Sequence, residues 1–169
     1  MVEREYSEEE LRAVVGKNAE SYIKIWAPII RGEKSTNGFN VAGFFLAASW
    51  MGYRKMTNIA AAWFVVAFIS VLMEDLVFIL ILGRPESPAI AGSLFGFILA
   101  LVCGYWGNTW YLSHVKTIVD SVRSKGLARE EYYDELSKRG GTSWGHTFLV
   151  LGIFFVFLIA GFVYETLKL

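Results

Sequence analysis

The sequence predicts an all-α integral membrane protein: a helical bundle of three spans, with one shorter apolar helix and an amphipathic helix at the N-terminus. Three observations predict this class. Apolar residues make up 54% of the 169 residues and charged residues only 19%, whereas a soluble domain usually carries about a quarter charged residues. The mean hydropathy is +0.42. Three stretches of sequence are each long and apolar enough to cross about 30 Å of hydrocarbon.

The composition excludes several classes of protein. Lys and Arg together number 16, as do Asp and Glu, so no excess positive charge favours nucleic acid as a partner. The single cysteine, Cys103, rules out a disulfide framework or a multi-cysteine metal site. Walker, serine-hydrolase, zinc-protease and protein-kinase motifs are missing from the sequence. We therefore expect a protein that is not an enzyme, with no catalytic, cofactor-binding or metal-binding residues.

The N-terminal segment, residues 1–37, is interpreted as a cytoplasmic amphipathic extension. Ser7 and Glu10 have the spacing of a capping box at a helix start. Apolar residues then recur at helical spacing, which predicts one amphipathic helix over about 8–26. Pro28 and Gly32 are expected to end this helix.

The rest of the chain, residues 38–169, is predicted to form the membrane domain. The spans are expected at 59–82, 88–112 and 144–164, with a cytoplasmic helical loop at 113–143. The apolar part of segment 38–53, residues 39–53, is too short to span comfortably, because fifteen helical residues reach only about 22 Å. We therefore interpret 38–53 as an interfacial or re-entrant helix.

The positions of Lys and Arg predict the orientation. With three spans, fourteen of these residues lie on one side of the membrane and two on the other. Cationic loops stay in the cytoplasm, which places the N-terminus inside and the C-terminus outside. If residues 39–53 also spanned, each side would carry eight cations and the asymmetry would vanish. The sequence thus predicts a multi-pass protein of a cytoplasmic membrane.

Three segments share their order and spacing with a known family. They are GFNVAGFFLAASWMGYRKM at 38–56, GYWGNTWYLSHVKTI at 104–118 and RGGTSW at 139–144. These resemble signatures of family 2628 among the domains of unknown function, over roughly residues 38–145. That family comprises small, mostly bacterial membrane proteins without established activity. The resemblance therefore implies a place in the bacterial inner membrane and supplies no reaction.

Two acidic residues, Glu74 and Asp75, lie inside the first predicted span, about 24 Å from its start. A carboxylate inside hydrocarbon costs on the order of 3 kcal/mol and marks a functional site by default. Three interpretations are open. The carboxyls are protonated on a proton or cation path, they meet a cation from another subunit, or the helix shifts so that both reach the outer headgroups.

Small residues recur every four positions in the second predicted span, at Gly92, Gly96, Ala100 and Gly104. Such a stripe lets two helices approach closely. It is expected either to pack against the first or third span or to dock another chain.

Aromatic and polar residues gather where the second and third spans meet the predicted cytoplasmic surface. This interfacial cluster consists of Trp106, Asn108, Trp110, Tyr111, His114, Trp144 and His146. Its aromatic rings are typical of a belt that anchors spans at the headgroups, or they hold a lipid, quinone or pigment. The two histidines are either interfacial polar groups or a metal- or haem-binding pair. Arg54 and Lys55, beside the cluster, are expected to attract anionic headgroups.

These features lead to one main functional hypothesis and two alternatives. The main hypothesis is a non-enzymatic membrane protein that binds other membrane proteins, as an accessory subunit or as a protective or inhibitory partner, or that forms a homo-oligomer. The first alternative is a small oligomeric transporter or channel using Glu74 and Asp75. The second is a lipid or cofactor binder at the interfacial cluster. Membrane lipids are expected partners in each case.

Overall fold

The computed structural model of the chain describes residues 6–33, 38–83 and 89–167, and these residues are organised as helices. The seven α-helices are α1 (Glu8–Val15), α2 (Ala19–Ile30), α3 (Val41–Tyr53), α4 (Thr57–Leu76), α5 (Ala89–Arg123), α6 (Arg129–Arg139) and α7 (Trp144–Leu167). A π-helical segment, Val77–Ile81, continues α4. No β-strand occurs within the described ranges, so the predicted all-α class is confirmed. The first residue of the predicted span 88–112 lies outside them.

The N-terminal helix begins where the sequence predicts but is broken in two. The Ser7 side chain accepts a hydrogen bond from the Glu10 amide, and the Glu10 side chain accepts one from the Ser7 amide, which confirms the capping box. Gly16 follows α1 with φ +60°, a conformation that costs glycine little. The chain therefore turns there, and the prediction of one helix over 8–26 was wrong. Pro28 lies inside α2 and does not end it, whereas Gly32, with φ +72°, follows the last residue of α2, Ile30, by two positions.

Helices α1, α2 and α6 pack with the C-terminal part of α5 into a unit that we call the cap. Helix α1 contacts α2, α5 and α6. The interior of the cap is apolar, and each of its main side chains is at most 1% exposed: Leu11, Val14, Val15, Trp26, Val115, Val119, Val122 and Leu136. The apolar face of the N-terminal extension is thus used within the chain and is not free to dock a partner.

Helix α3 occupies the centre of the other half of the molecule. It packs against α4, α5 and α7. Its backbone is non-helical at Ala47, with φ 37° and ψ −113°. For a residue that carries a Cβ, left-handed backbone costs about 1–2 kcal/mol, so tertiary contacts on both sides must hold this break in place.

Helices α4, α5 and α7 expose many apolar side chains, and α3 exposes Phe45, which is 75% exposed. On α4, Val65 is 57% exposed, and on α7 Val156 is 66% exposed; Leu94, on α5, is 59% exposed. Among the described residues, one helical stretch, Thr57–Glu74, is long and apolar enough to cross a membrane; its mean hydropathy is 1.7 and 11% of it is buried.

Candidate functional site

Asn40 attaches the beginning of α3 to the middle of α5. Its Nδ2 donates to Oδ1 of Asn108 over 2.8 Å, and its Oδ1 caps α3 by accepting from the Gly43 amide over 2.7 Å. The backbone amide of Asn40 donates to the Gly104 carbonyl over 2.7 Å. Asn40 and Asn108 are 6% and 3% exposed. Leaving either amide unpaired in this buried place would cost about 1–3 kcal/mol, so the pair fixes the register of α3 on α5.

The C-terminal part of α3 contacts the same part of α5 that Asn40 contacts. The Trp50 ring lies 6.0 Å from that of Tyr111. At Gly107, a Cβ would lie 3.3 Å from Asn40 Nδ2 and 3.4 Å from Trp50 Cζ3. Ten residues of unbroken helix would separate Asn40 from Trp50 by about 15 Å. The break at Ala47 therefore folds α3 back along α5, so that the side chains of Asn40 and Trp50 both lie against Gly107.

This fold-back concerns segment 38–53, which the sequence predicts to be an interfacial or re-entrant helix. The side chains of Asn40 and Trp50 lie against one residue of α5, and the backbone between them is broken at Ala47. Ala47 itself is half-buried, while Phe45 and Leu46 are 75% and 57% exposed. The place of this segment relative to a membrane stays a prediction.

Two glycines of α3, which sequence reasoning missed, allow this close packing. A Cβ on Gly43 would lie 3.0 Å from the Cys103 carbonyl oxygen, and one on Gly52 would lie 3.0 Å from the His146 carbonyl oxygen. Helix α3 thereby approaches the backbones of both α5 and α7. The sequence predicts segment 38–53 to be an interfacial or re-entrant helix, and that prediction assigns no packing role to these glycines.

The predicted small-residue stripe does not act as a unit. A Cβ on Gly104 would overlap the Phe39 ring, and one on Gly96 would meet nothing within 4 Å. Ala100 is half-buried, and the surroundings of Gly92 lie outside the described residues. Close packing at Gly104 is therefore directed at the segment leading into α3, and not at the first or third predicted span.

The interfacial cluster divides into a buried part and an exposed part. Asn108 and Tyr111 are buried. Trp110, His114 and His146 are half-buried, while Trp106 and Trp144 are 45% and 65% exposed. Sequence reasoning missed that Tyr22 and Trp26 of α2 join the buried part, with their rings 4.9 Å and 5.4 Å from that of Tyr111. The indole of Trp26 donates to the Asn108 carbonyl over 3.2 Å.

The two histidines occupy different surroundings. His114 Nε2 is buried without a hydrogen-bond partner, and burial lowers the pKa of His114. His146 Nδ1 lies 2.9 Å from the Ser143 hydroxyl. Within the described ranges, no group of three or more His, Cys, Asp or Glu side chains is placed to hold a metal ion.

Arg54 is buried beneath the cap and does not face the headgroups. Its side chain is 4% exposed, and its Nη1 donates to the Lys17 carbonyl over 3.1 Å. The guanidinium carbon lies 4.6 Å from the centroid of the Tyr22 ring and 5.1 Å from that of Tyr111. Carbonyl oxygens and aromatic faces thus stabilise this cation. The expectation that Arg54 attracts anionic headgroups was wrong, because α1 and α2 cover it.

Glu74 is buried, whereas the other described hydroxyl- and amide-bearing residues of α4 are exposed or half-buried. It is 7% exposed, whereas its neighbours Met73 and Leu76 are 50% and 47% exposed. Within the described residues, no hydrogen-bond donor or cation contacts its carboxylate. Ser70, one turn earlier, donates to the Val66 carbonyl of its own helix over 2.8 Å. The side chain of Asp75 lies outside the described residues.

The π-helical segment Val77–Ile81 begins three residues after Glu74. Such segments are frequent at functional sites. A buried acid followed by a change of helix type makes the end of α4 a candidate site in its own right.

A partly buried ion pair holds the cap together. Arg123 donates through Nε and Nη2 to the two carboxylate oxygens of Glu10, over 2.8 Å and 2.6 Å, and the Tyr132 hydroxyl donates to Glu10 Oε1 over 2.6 Å. Burial alone would raise the pKa of Glu10, but the hydrogen bonds from Arg123, Tyr132 and Ser7 outweigh it and lower the pKa to about 2. This network joins α1, α5 and α6.

Comparison of the chain with protein-family models, with curated proteins and with solved structures gives no match. The resemblance to family 2628 stays a prediction.

The Glu10 network predicts how stability depends on pH. Because the folded-state pKa is depressed, the stabilisation is complete above pH 4.5 and is lost as pH falls towards 2. We expect Glu10→Gln to lower the free energy of unfolding by about 2–3 kcal/mol at pH 7 and to flatten its decline between pH 5 and 2. Denaturant unfolding followed by circular dichroism measures both effects. The control is Glu20→Gln, which removes an exposed carboxylate; an equal change there would refute the prediction.

Proposed function

We propose that this protein is a non-enzymatic, multi-pass protein of a bacterial cytoplasmic membrane that binds other membrane proteins, as an accessory subunit or as a protective or inhibitory partner. The observation that carries the proposal is the exposure of many apolar side chains on α4, α7 and the first half of α5. Soluble monomers rarely expose apolar patches larger than a few hundred Å².

The contrast with the cap supports an apolar environment for these helices. In the cap, Val14 and Val115 are 1% and 0% exposed, whereas Phe148 and Phe155 of α7 are 65% and 57% exposed. One chain thus buries its apolar side chains in one half and presents them in the other. Lipid or another membrane protein covers the second kind of surface in this proposal.

The proposed topology has spans at 59–82, 88–112 and 144–164, a re-entrant α3 and a cytoplasmic cap. The side chains of Asn40 and Trp50 both lie against Gly107, which supports the return of α3 to the side from which it came. Segments 1–37 and 113–143 of the sequence, which supply most of the cap, contain twelve of the sixteen Lys and Arg residues, and cationic segments stay in the cytoplasm.

The topology predicts which positions an impermeant thiol reagent reaches in intact cells. In a Cys103→Ala background, Ser21→Cys on the exposed surface of α2 is expected to react only after the membrane is made permeable. Leu82→Cys, at the far end of the first span, is expected to react at once. Labelling of position 21 in intact cells would refute the N-terminus-inside arrangement.

The partner hypothesis predicts where crosslinks form. A photoreactive amino acid at Phe155, on the exposed face of α7, is expected to give a protein adduct of defined mass in native membranes. The matched control is the same amino acid at Lys138, on the exposed surface of α6, which is expected to give no such adduct. A strictly monomeric protein, with no adduct from α4, α5 or α7, would refute partner binding.

A second candidate function is a small oligomeric transporter or channel, because Glu74 is buried with no donor or cation beside it among the described residues. Uncompensated acids inside membrane helices mark ion and proton paths. Three helices cannot line a pore, so this function requires an oligomer.

The transport hypothesis predicts a loss of flux on neutralising the acid. In liposomes loaded with a pH- or cation-sensitive dye, Glu74→Gln is expected to reduce wild-type flux by at least about tenfold, because the group that binds the ion is removed. The control is Glu20→Gln, which alters an exposed acid of the cap. Wild-type protein without flux, or a Glu74→Gln variant with unchanged flux, would refute this candidate.

A further inference from the structure

A cationic and aromatic surface lies where the cap meets the first residues of α7. The amide of Ser143 donates to the Tyr53 carbonyl over 2.9 Å, and the Trp144 ring lies 5.1 Å from the Tyr53 ring. The side chain of Thr142 lies beside the Tyr53 hydroxyl and lowers its pKa by hydrogen bonding, and the positive charges of Lys17 and Arg54 act in the same direction. We call this patch, formed by Lys17, Tyr53, Lys55, Thr142 and Trp144, the Tyr53 surface.

The positive charges of this surface have no carboxylate partners. Lys55 Nζ donates to the Lys138 carbonyl over 3.0 Å, and Lys17 is exposed. Within the described part of the chain, neither lysine has a carboxylate within 4.0 Å. Several other exposed cations of the cap are paired with carboxylates: Arg12 with Glu8 and Glu20, Arg31 with Glu33, and Lys125 and Arg139 with Glu135. Within the described residues Lys24 and Lys138 also have no carboxylate within 4.0 Å, but no aromatic ring contact is found beside them.

The surface lies at the boundary between polar and apolar parts of the molecule. Trp144 is the first residue of α7, and Phe148, one turn later, is already 65% exposed. Tryptophan and tyrosine concentrate at the level of lipid headgroups. Lysines at that level attract anionic lipids, so the two uncompensated charges are complementary to a phosphate layer.

We propose that the Tyr53 surface binds the headgroup of an anionic phospholipid, with Lys17 and Lys55 contacting the phosphate and Trp144 lying among the glycerol and upper acyl groups. This inference rests on the proposed membrane location. It narrows the lipid-or-cofactor alternative to one surface and one class of ligand.

The test measures lipid retained by protein reconstituted in vesicles of phosphatidylcholine mixed with phosphatidylglycerol. After purification in mild detergent, the wild type is expected to retain phosphatidylglycerol in excess over its share of the bulk lipid. Lys17→Gln and Lys55→Gln are each expected to reduce the excess roughly fivefold, and high salt is expected to reduce it further. Thermal unfolding in each lipid shows whether the variants remain folded.

The control variant, Lys24→Gln with Arg129→Gln, removes two exposed cations elsewhere in the cap and is expected to keep the excess. An equal loss in this control, or no excess in the wild type, would overturn the inference. Displacement of the lipid by inorganic phosphate at matched ionic strength would overturn it in favour of a free-phosphate site. Protein that does not enter the vesicles at all would instead refute the proposed membrane location.

Discussion

The amide pair between Asn40 and Asn108 is the interaction on which the rest of the structure depends. It binds the beginning of α3 to α5 within a packed interior, where an unpaired amide is costly. With that end fixed and Ala47 reversing the chain, Trp50 and Tyr53 are returned to the level of Tyr111. Arg54, the next residue, is then placed directly under α1, so the position of the cap follows from how α3 is held.

In the proposed membrane location, two different solvents surround the two halves of the chain. In the cap, apolar side chains point inward, and the carboxylate of Glu10 accepts hydrogen bonds from Arg123 and Tyr132, as a charged group removed from water requires. In α4 and α7 the apolar side chains point outward. The two halves meet at Arg54. Backbone carbonyl oxygens and aromatic ring faces at the base of the cap stabilise its positive charge.

Elements whose signal is local could be predicted from the sequence, and those that depend on distant partners could not. The capping box at Ser7 is specified by four residues, and the predicted helical character of 113–143 agrees with the end of α5 and with α6. The break at Ala47 has no local signal, because neither glycine nor proline stands there. It exists because Asn40 and Trp50 are both held against Gly107. The burial of Arg54 could not be predicted from the sequence for the same reason, because Lys17 and Tyr22 cover it only after the chain has folded.

The burial of Glu74 changes what the acidic pair can do. One interpretation of the sequence has Glu74 meeting a cation from another subunit, but a side chain that is 7% exposed offers almost no surface to a second chain. A partner that docks on α4 without rearranging it therefore meets Val65, Phe68 and Leu72, which are 57%, 53% and 52% exposed. Partner binding and the buried acid are then separable properties of one helix. A partner complex that survives Glu74→Gln would be consistent with that separation, because the docking face would be unchanged while the buried charge is lost.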